Sequence, residues 1–263
     1  MFDLHVHTAY SDGMQLYDII NEAENAGLDA VGVVDHAVIT DDPTLHRHKV
    51  SLAHVFDKTF RLRREALERY RDQTDLRIYD GIELDYQSDD EEILREFLRT
   101  ASFEYATGSV HYVFGTNIQF SEAFDGHNEA ELDAVVEEYY TQLESLIRSE
   151  LFDIAAHPDL IERNPRTAGR TTVGQADRIA AAFAESRTTP EFNAGSIGST
   201  PAADVHPRTP LRDRLLEADV PFTYGSDAHN RGEIGSRKAV LRSVSDTCAA
   251  QILRPETVCH NTV

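Results

Sequence analysis

Six histidines and three carboxylates recur where short apolar runs of this chain end. His5 and His7 stand two residues apart, followed by Asp12 in Ser11-Asp12-Gly13. Asp35-His36, Gly81-Ile82-Glu83, Ser109-Val110-His111, Ala156-His157-Pro158 and Gly225-Ser226-Asp227-Ala228-His229 close the later runs. Side chains alternate along a strand, so His5-x-His7 and Asp227-x-His229 each send two donors to one side. Either pair alone is a weak metal signal, and one histidine at a strand end is more often a packed loop or core residue. Six at five strand ends are a strong signal together. Neutral imidazoles mixed with carboxylates suit zinc, manganese or iron rather than calcium. Nine donors exceed the roughly four to six that one ion takes, so two or three ions sharing bridging carboxylates are expected. Such a cluster activates water and clamps the oxygens of a phosphoryl group.

The elements that must position these donors are legible as alternation. Apolar runs predict strands over Asp3–Val6, Ala30–Val34, Arg77–Leu84, Tyr105–Val110, Asp153–Ala156, Pro190–Asn193 and Pro221–Tyr224. Leu16, Ile19, Ile20 and Ala23 have helical spacing with Gly27 as the stop, and further helices are expected over 50–72, 90–100, 128–150, 174–186, 208–219 and 235–245. Asp125-Gly126-His127-Asn128 reads as a turn and helix cap. Seven strand–helix repeats point to an α/β fold, a distorted (β/α)7 barrel whose site lies at the C-terminal ends of the strands. An open doubly wound sheet is the alternative. His5-Val6-His7 stands where a dinucleotide fold needs a glycine-rich turn, which argues against such binding. No linker divides residues 1–263, so a single domain is expected. The stretches 158–172 and 194–207 read as loops over the site, and 246–263 carries no clear pattern.

Composition narrows the class. Against 46 acidic residues stand 25 basic ones, for a net charge of −21 over 263 residues. A binder of bare phosphate backbones or anionic membranes needs a basic footprint that is missing here. Only three of the basic residues are lysines (Lys49, Lys58, Lys238), a balance suited to a halophile, where salt screens self-repulsion. Two cysteines, Cys248 and Cys259, make neither a disulfide scaffold nor a thiolate zinc fold. The start of the sequence has no leader pattern and no apolar run approaches membrane-spanning length, so a cytoplasmic location is expected.

In these motifs the chain resembles the polymerase and histidinol phosphatase (PHP) superfamily of metal-dependent phosphoesterases. His5-Val6-His7-Thr8, Ser11-Asp12-Gly13, Asp35-His36, Gly81-Ile82-Glu83, Gly108-Ser109-Val110-His111, His157-Pro158-Asp159 and Ser226-Asp227-Ala228-His229 match in order. The resemblance implies a trinuclear centre. One ion would take His5, His7, Glu83 and Asp227, a second Glu83, His111 and His157, and a third Asp12, His36 and His229. Gly81-Ile82-Glu83-Leu84-Asp85-Tyr86, His157-Pro158-Asp159-Leu160 and Glu191-Phe192-Asn193 resemble the histidinol-phosphatase branch, although Asp12 stands where that branch often has histidine. The activity implied by this resemblance is hydrolysis of L-histidinol phosphate to L-histidinol and phosphate, in histidine biosynthesis. The alternatives are a related phosphoesterase acting on nucleoside phosphates or nucleic-acid ends, and a non-catalytic binding module.

Asp3, Asp35 and Asp159 neighbour these donors and are candidates to orient imidazoles. Arg163, Arg166, Arg170 and Arg231 are candidate phosphate contacts, Arg163 and Arg231 foremost, because a guanidinium offers a bidentate fork. His206 reads as a bystander near the site. His46, His48, His54, His127 and His260 have no spacing that suggests a role, and neither cysteine is assigned one.

Overall fold

The computed structural model describes residues 1–198 and 204–259; His260 and part of the 194–207 loop lie outside them. The strands are β1 (Phe2–His7), β2 (Ala30–Val34), β3 (His36–Ala37), β4 (Arg77–Asp85), β5 (Tyr105–Ser109), β6 (Tyr112–Val113), β7 (Thr116–Asn117), β8 (Ile154–Ala155), β9 (Thr189–Asn193) and β10 (Thr223–Gly225). The helices are α1 (Leu16–Asn25), α2 (Pro43–Ser51), α3 (Phe56–Arg71), α4 (Glu91–Ala101), α5 (Glu129–Arg148), α6 (Val173–Ala184), α7 (Leu211–Glu217), α8 (Glu233–Cys248) and α9 (Pro255–Val258).

The parallel sheet runs β1-β2-β4-β5-β8-β9-β10, with β3 continuing the β2 stave beside β4. It closes on itself: Val6 bridges Ala228 in parallel, His7 N donates to Ala228 O at 3.0 Å, and Asp227 N donates to His5 O at 2.8 Å. The expected seven-stave (β/α) barrel is therefore present. Helices cover its outside, so every residue of β1, β2, β5 and β9 is buried. Val31, Val33 and Ile78 pack outward with Leu16, Ile19 and Ile20 of α1. Inside, the Tyr105 ring crosses the barrel and its hydroxyl donates to Leu4 O at 2.8 Å. Gly32 and Gly81 make room for that ring, since a Cβ on either would collide with it. These contacts precede His5 and Glu83 along their strands, so Tyr105 fills the barrel on the N-terminal side of the candidate site.

Most expected elements appear with shifted ends. The helix expected over 50–72 is two helices, because Ala53 adopts a left-handed backbone (φ 58°) between them. Asp42 caps α2, accepting from Thr44 N and Leu45 N. Asn128 caps α5 as expected and forms a reciprocal box with Glu131. The two-residue strand β3, the β6–β7 hairpin and α9 are additions. A short 3-10 turn, Leu160–Arg163, lies within the expected 158–172 loop.

Candidate metal centre

The barrel's C-terminal mouth gathers all nine donors. β1 carries His5 and His7, β3 carries His36, and Glu83 lies near the end of β4. His111 follows β5, His157 follows β8, and Asp227 and His229 follow β10. Asp12 comes from the turn between β1 and α1. His157 (φ 29°) and Asp227 (φ 55°) take left-handed backbone conformations that non-glycine residues rarely adopt, a strain that concentrates at functional sites. Arg237 of α8 braces the second of these by donating to Ser226 O (3.1 Å) and Asp227 O (2.8 Å). Glu233 accepts from His229 N and pairs with Arg237.

Glu83 is the hub. Its Oε2 lies 3.3 Å from His5 Nε2, 3.4 Å from His7 Nε2 and 3.1 Å from His36 Nδ1. Its Oε1 lies 3.2 Å from His157 Nε2 and 3.7 Å from His111 Nε2. Asp227 Oδ1 is 3.4 Å from His7 Nε2 and 3.7 Å from His229 Nδ1. Asp12 Oδ2 is 3.5 Å from His229 Nε2 and 3.9 Å from His36 Nε2. Among the described residues, three subsets have donor atoms mutually within 4.8 Å: His7, Asp12, His36 and His229; His5, His7 and Glu83; and His36, Glu83 and His111.

The donors fit divalent ions chemically. His5 Nε2 and His7 Nε2 face each other at 3.1 Å, and Glu83 Oε2, His7 Nδ1, His111 Nε2 and His157 Nδ1 are buried without a hydrogen-bond partner. A cation placed among inward-facing lone pairs would satisfy several at once. Burial pushes His36 down to about 3 and lowers His157, keeping both in the neutral form that binds metal. Burial alone would raise Glu83, but the imidazoles of His36 and His5 and the His157 hydrogen bond hold it well below the carboxylate range. For His229, burial is outweighed by Asp12 and Asp227, which lift it to about 9.

Two carboxylates escaped the sequence reading as partners of ring nitrogens. Glu191 sits against His5 Nδ1 at 3.0 Å and accepts from His157 N at 2.9 Å. Asp85 sits 2.6 Å from His111 Nδ1. Such partners fix which ring nitrogen faces the centre. Asp85 stands two residues from Glu83 on β4, so period-two spacing was a usable signal for it. His54, given no role by its spacing, lines the cavity and stacks on His36, with centroids 4.5 Å apart. Asp3 accepts backbone N–H groups of His5 and Ser226 rather than an imidazole. Asp159 orients buried His206 (2.7 Å), which does not line the cavity.

Above the donors lies a cavity of about 810 Å³, walled by Leu52, His54, Phe120, Arg163 and Ile197 among others. Arg163 reaches Asn193 Oδ1 and lies 3.4 Å from Asp227 Oδ2, at the edge of the centre. Arg231 stands at the rim, mostly exposed, and donates to Asp18 Oδ2 at 2.7 Å. Arg166 and Arg170 do not line the cavity; they bind His127 O and the Glu129–Asp133 pair.

The model of the PHP domain matches residues 3–195. The chain belongs to the PHP domain family. It is 26% identical over 253 residues to a Deinococcus radiodurans protein named "Probable histidinol-phosphatase", covering 90% of this chain and 89% of that one. A structure from Listeria monocytogenes, provisionally named a histidinol phosphatase, has a TM-score of 0.75 at 20% identity, over 91% of this chain and 99% of that chain. The histidinol phosphate phosphatase of Lactococcus lactis, solved with zinc, L-histidinol and phosphate, has a TM-score of 0.65 at 18% identity, over 96% and 95%. These likenesses agree with the barrel. Among the described residues no helix is long and apolar enough to cross a membrane.

Proposed function

We propose that this PHP protein is a phosphoric monoester hydrolase that converts L-histidinol phosphate to L-histidinol and phosphate. The observation that carries the metal-dependent reading is Glu83, one buried carboxylate facing five imidazoles within 3.7 Å. The substrate is supported by the names of relatives that align along almost the whole chain and by the ligands of the Lactococcus lactis enzyme.

The centre would hold two to three ions of zinc, manganese or iron. His5, His7, Glu83 and Asp227 form one set, Glu83, His111 and His157 a second, and Asp12, His36 and His229 the third. Bound ions supply positive charge for phosphate oxygens and lower the pKa of water. The chain's own residues prepare that chemistry. Glu191 and Asp85 hold the rings of His5 and His111, and Arg163 offers its fork to the phosphoryl group from the cavity wall. Arg163, whose Nη atoms also meet Asn193 and Asp227, and Arg231, paired with Asp18 at the exposed rim, both remain candidate phosphate contacts. Residues 1–263 would act as one barrel domain in the cytoplasm of a halophile.

Phosphate release is the test. The purified, metal-loaded chain in high salt is assayed on L-histidinol phosphate, nucleoside monophosphates and 3′,5′-bisphosphates. Preference for L-histidinol phosphate supports the proposal; preference for a nucleotide moves the substrate to another branch of the family.

A further inference from the structure

Asp12 has a support that neither faces the cavity nor belongs to the nine donors. Asp35 fills the one-residue gap between β2 and β3, directly before His36, and is fully buried. Its Oδ1 accepts from Thr8 N (3.0 Å) and Ser11 Oγ (2.6 Å). Its Oδ2 accepts from Thr8 Oγ1 (2.6 Å) and Arg63 (2.6 Å). Arg63 is itself fully buried on α3, donates to Asp80 Oδ1 at 2.7 Å and to Gly81 O, and lies 4.0 Å above the Phe56 ring. Ser11 Oγ also sits 3.2 Å from Asp12 Oδ1. On the far side of Asp12, Gly13 presses against His7 so closely that a Cβ would overlap its carbonyl.

Asp12 needs such a support. Its side chain is 46% exposed, against 28% for His229 and 10% or less for the other seven donors. Core packing therefore holds the other donors far more than it holds Asp12. A buried ion pair such as Arg63–Asp35 is a poor source of net stability, because desolvation offsets its attraction. Its geometry does accomplish something else. One residue ties the turn bearing Asp12 to the backbone bearing His36, two members of one ligand set.

We propose that Asp35, anchored by Arg63, is a positioning residue that holds Asp12 against His36 and His229 and so sets the metal affinity of this outer set alone. The inference rests on the proposed metal centre. The test counts ions and measures their affinities by chelator competition in wild type, Asp35→Asn, Ser11→Ala and Ser11→Thr. Asp35→Asn should weaken one metal equivalent about 10–100-fold and leave the others unchanged. Ser11→Ala, at a half-buried turn position, removes one hydrogen bond and should weaken the same equivalent less. Ser11→Thr keeps the hydroxyl and should restore it. If Asp35→Asn fails to fold, the two Ser11 variants decide. Unchanged affinities in folded variants, or equal weakening of every equivalent, overturn the positioning role. A wild-type chain that binds no ion overturns the metal centre itself, a separate outcome.

Discussion

The nine donors differ in how they hold protons. His36, buried and pushed down to about 3, is neutral throughout the ordinary pH range. His229 is lifted to about 9 by Asp12 and Asp227, so near neutrality it carries a proton that an ion must displace. Each ligand set holds one imidazole whose burial is outweighed by facing carboxylates (His5, His111 and His229), so metal occupancy of all three should fall on acidification, approaching tenfold in affinity per pH unit for each proton displaced. Ion content measured against pH at fixed free metal checks this; occupancy unchanged between neutral and acidic pH would contradict it. The donors themselves were readable because each sits at a strand end. Glu191 as a partner was not, since its bond with His5 joins residues 186 positions apart and exists only once β9 reaches the rim.

At the level of elements, the strands mount the centre and Tyr105 keeps the staves apart beneath it. Gly81→Ala drives a methyl group into the Tyr105 ring, and overpacking of this kind costs about 1–3 kcal/mol. Chemical denaturation should register that loss, while wild-type stability would mean that the ring yields freely. β1 and β4 interleave apolar residues with site residues, whereas β2 is visible as an unbroken apolar run because both of its faces are covered. The break between α2 and α3 is not, because its left-handed residue is alanine, where sequence signals for a helix stop rely on glycine or proline. β3, β6 and β7 hold two residues each, too short for a period-two pattern to stand out.

Across the whole molecule, the net charge of −21 sets the conditions of folding. Acids crowd one surface hollow, where Asp41, Asp42, Asp89, Asp90 and Glu92 lie together. Molar salt shortens the Debye length to about 3 Å and quiets their repulsion. The thermal unfolding midpoint should therefore rise from dilute buffer to molar potassium chloride; a midpoint insensitive to salt would remove the halophile reading and leave the metal centre untouched. The filled barrel beneath the donors adds one more consequence. Tyr105 and its neighbours are a low-dielectric backing behind the centre, and the cavity opens in front of it. Field lines from charge lodged there bend toward the opening. With ions loaded, a chain of net charge −21 would present a locally positive opening that begins to orient an anionic substrate before contact.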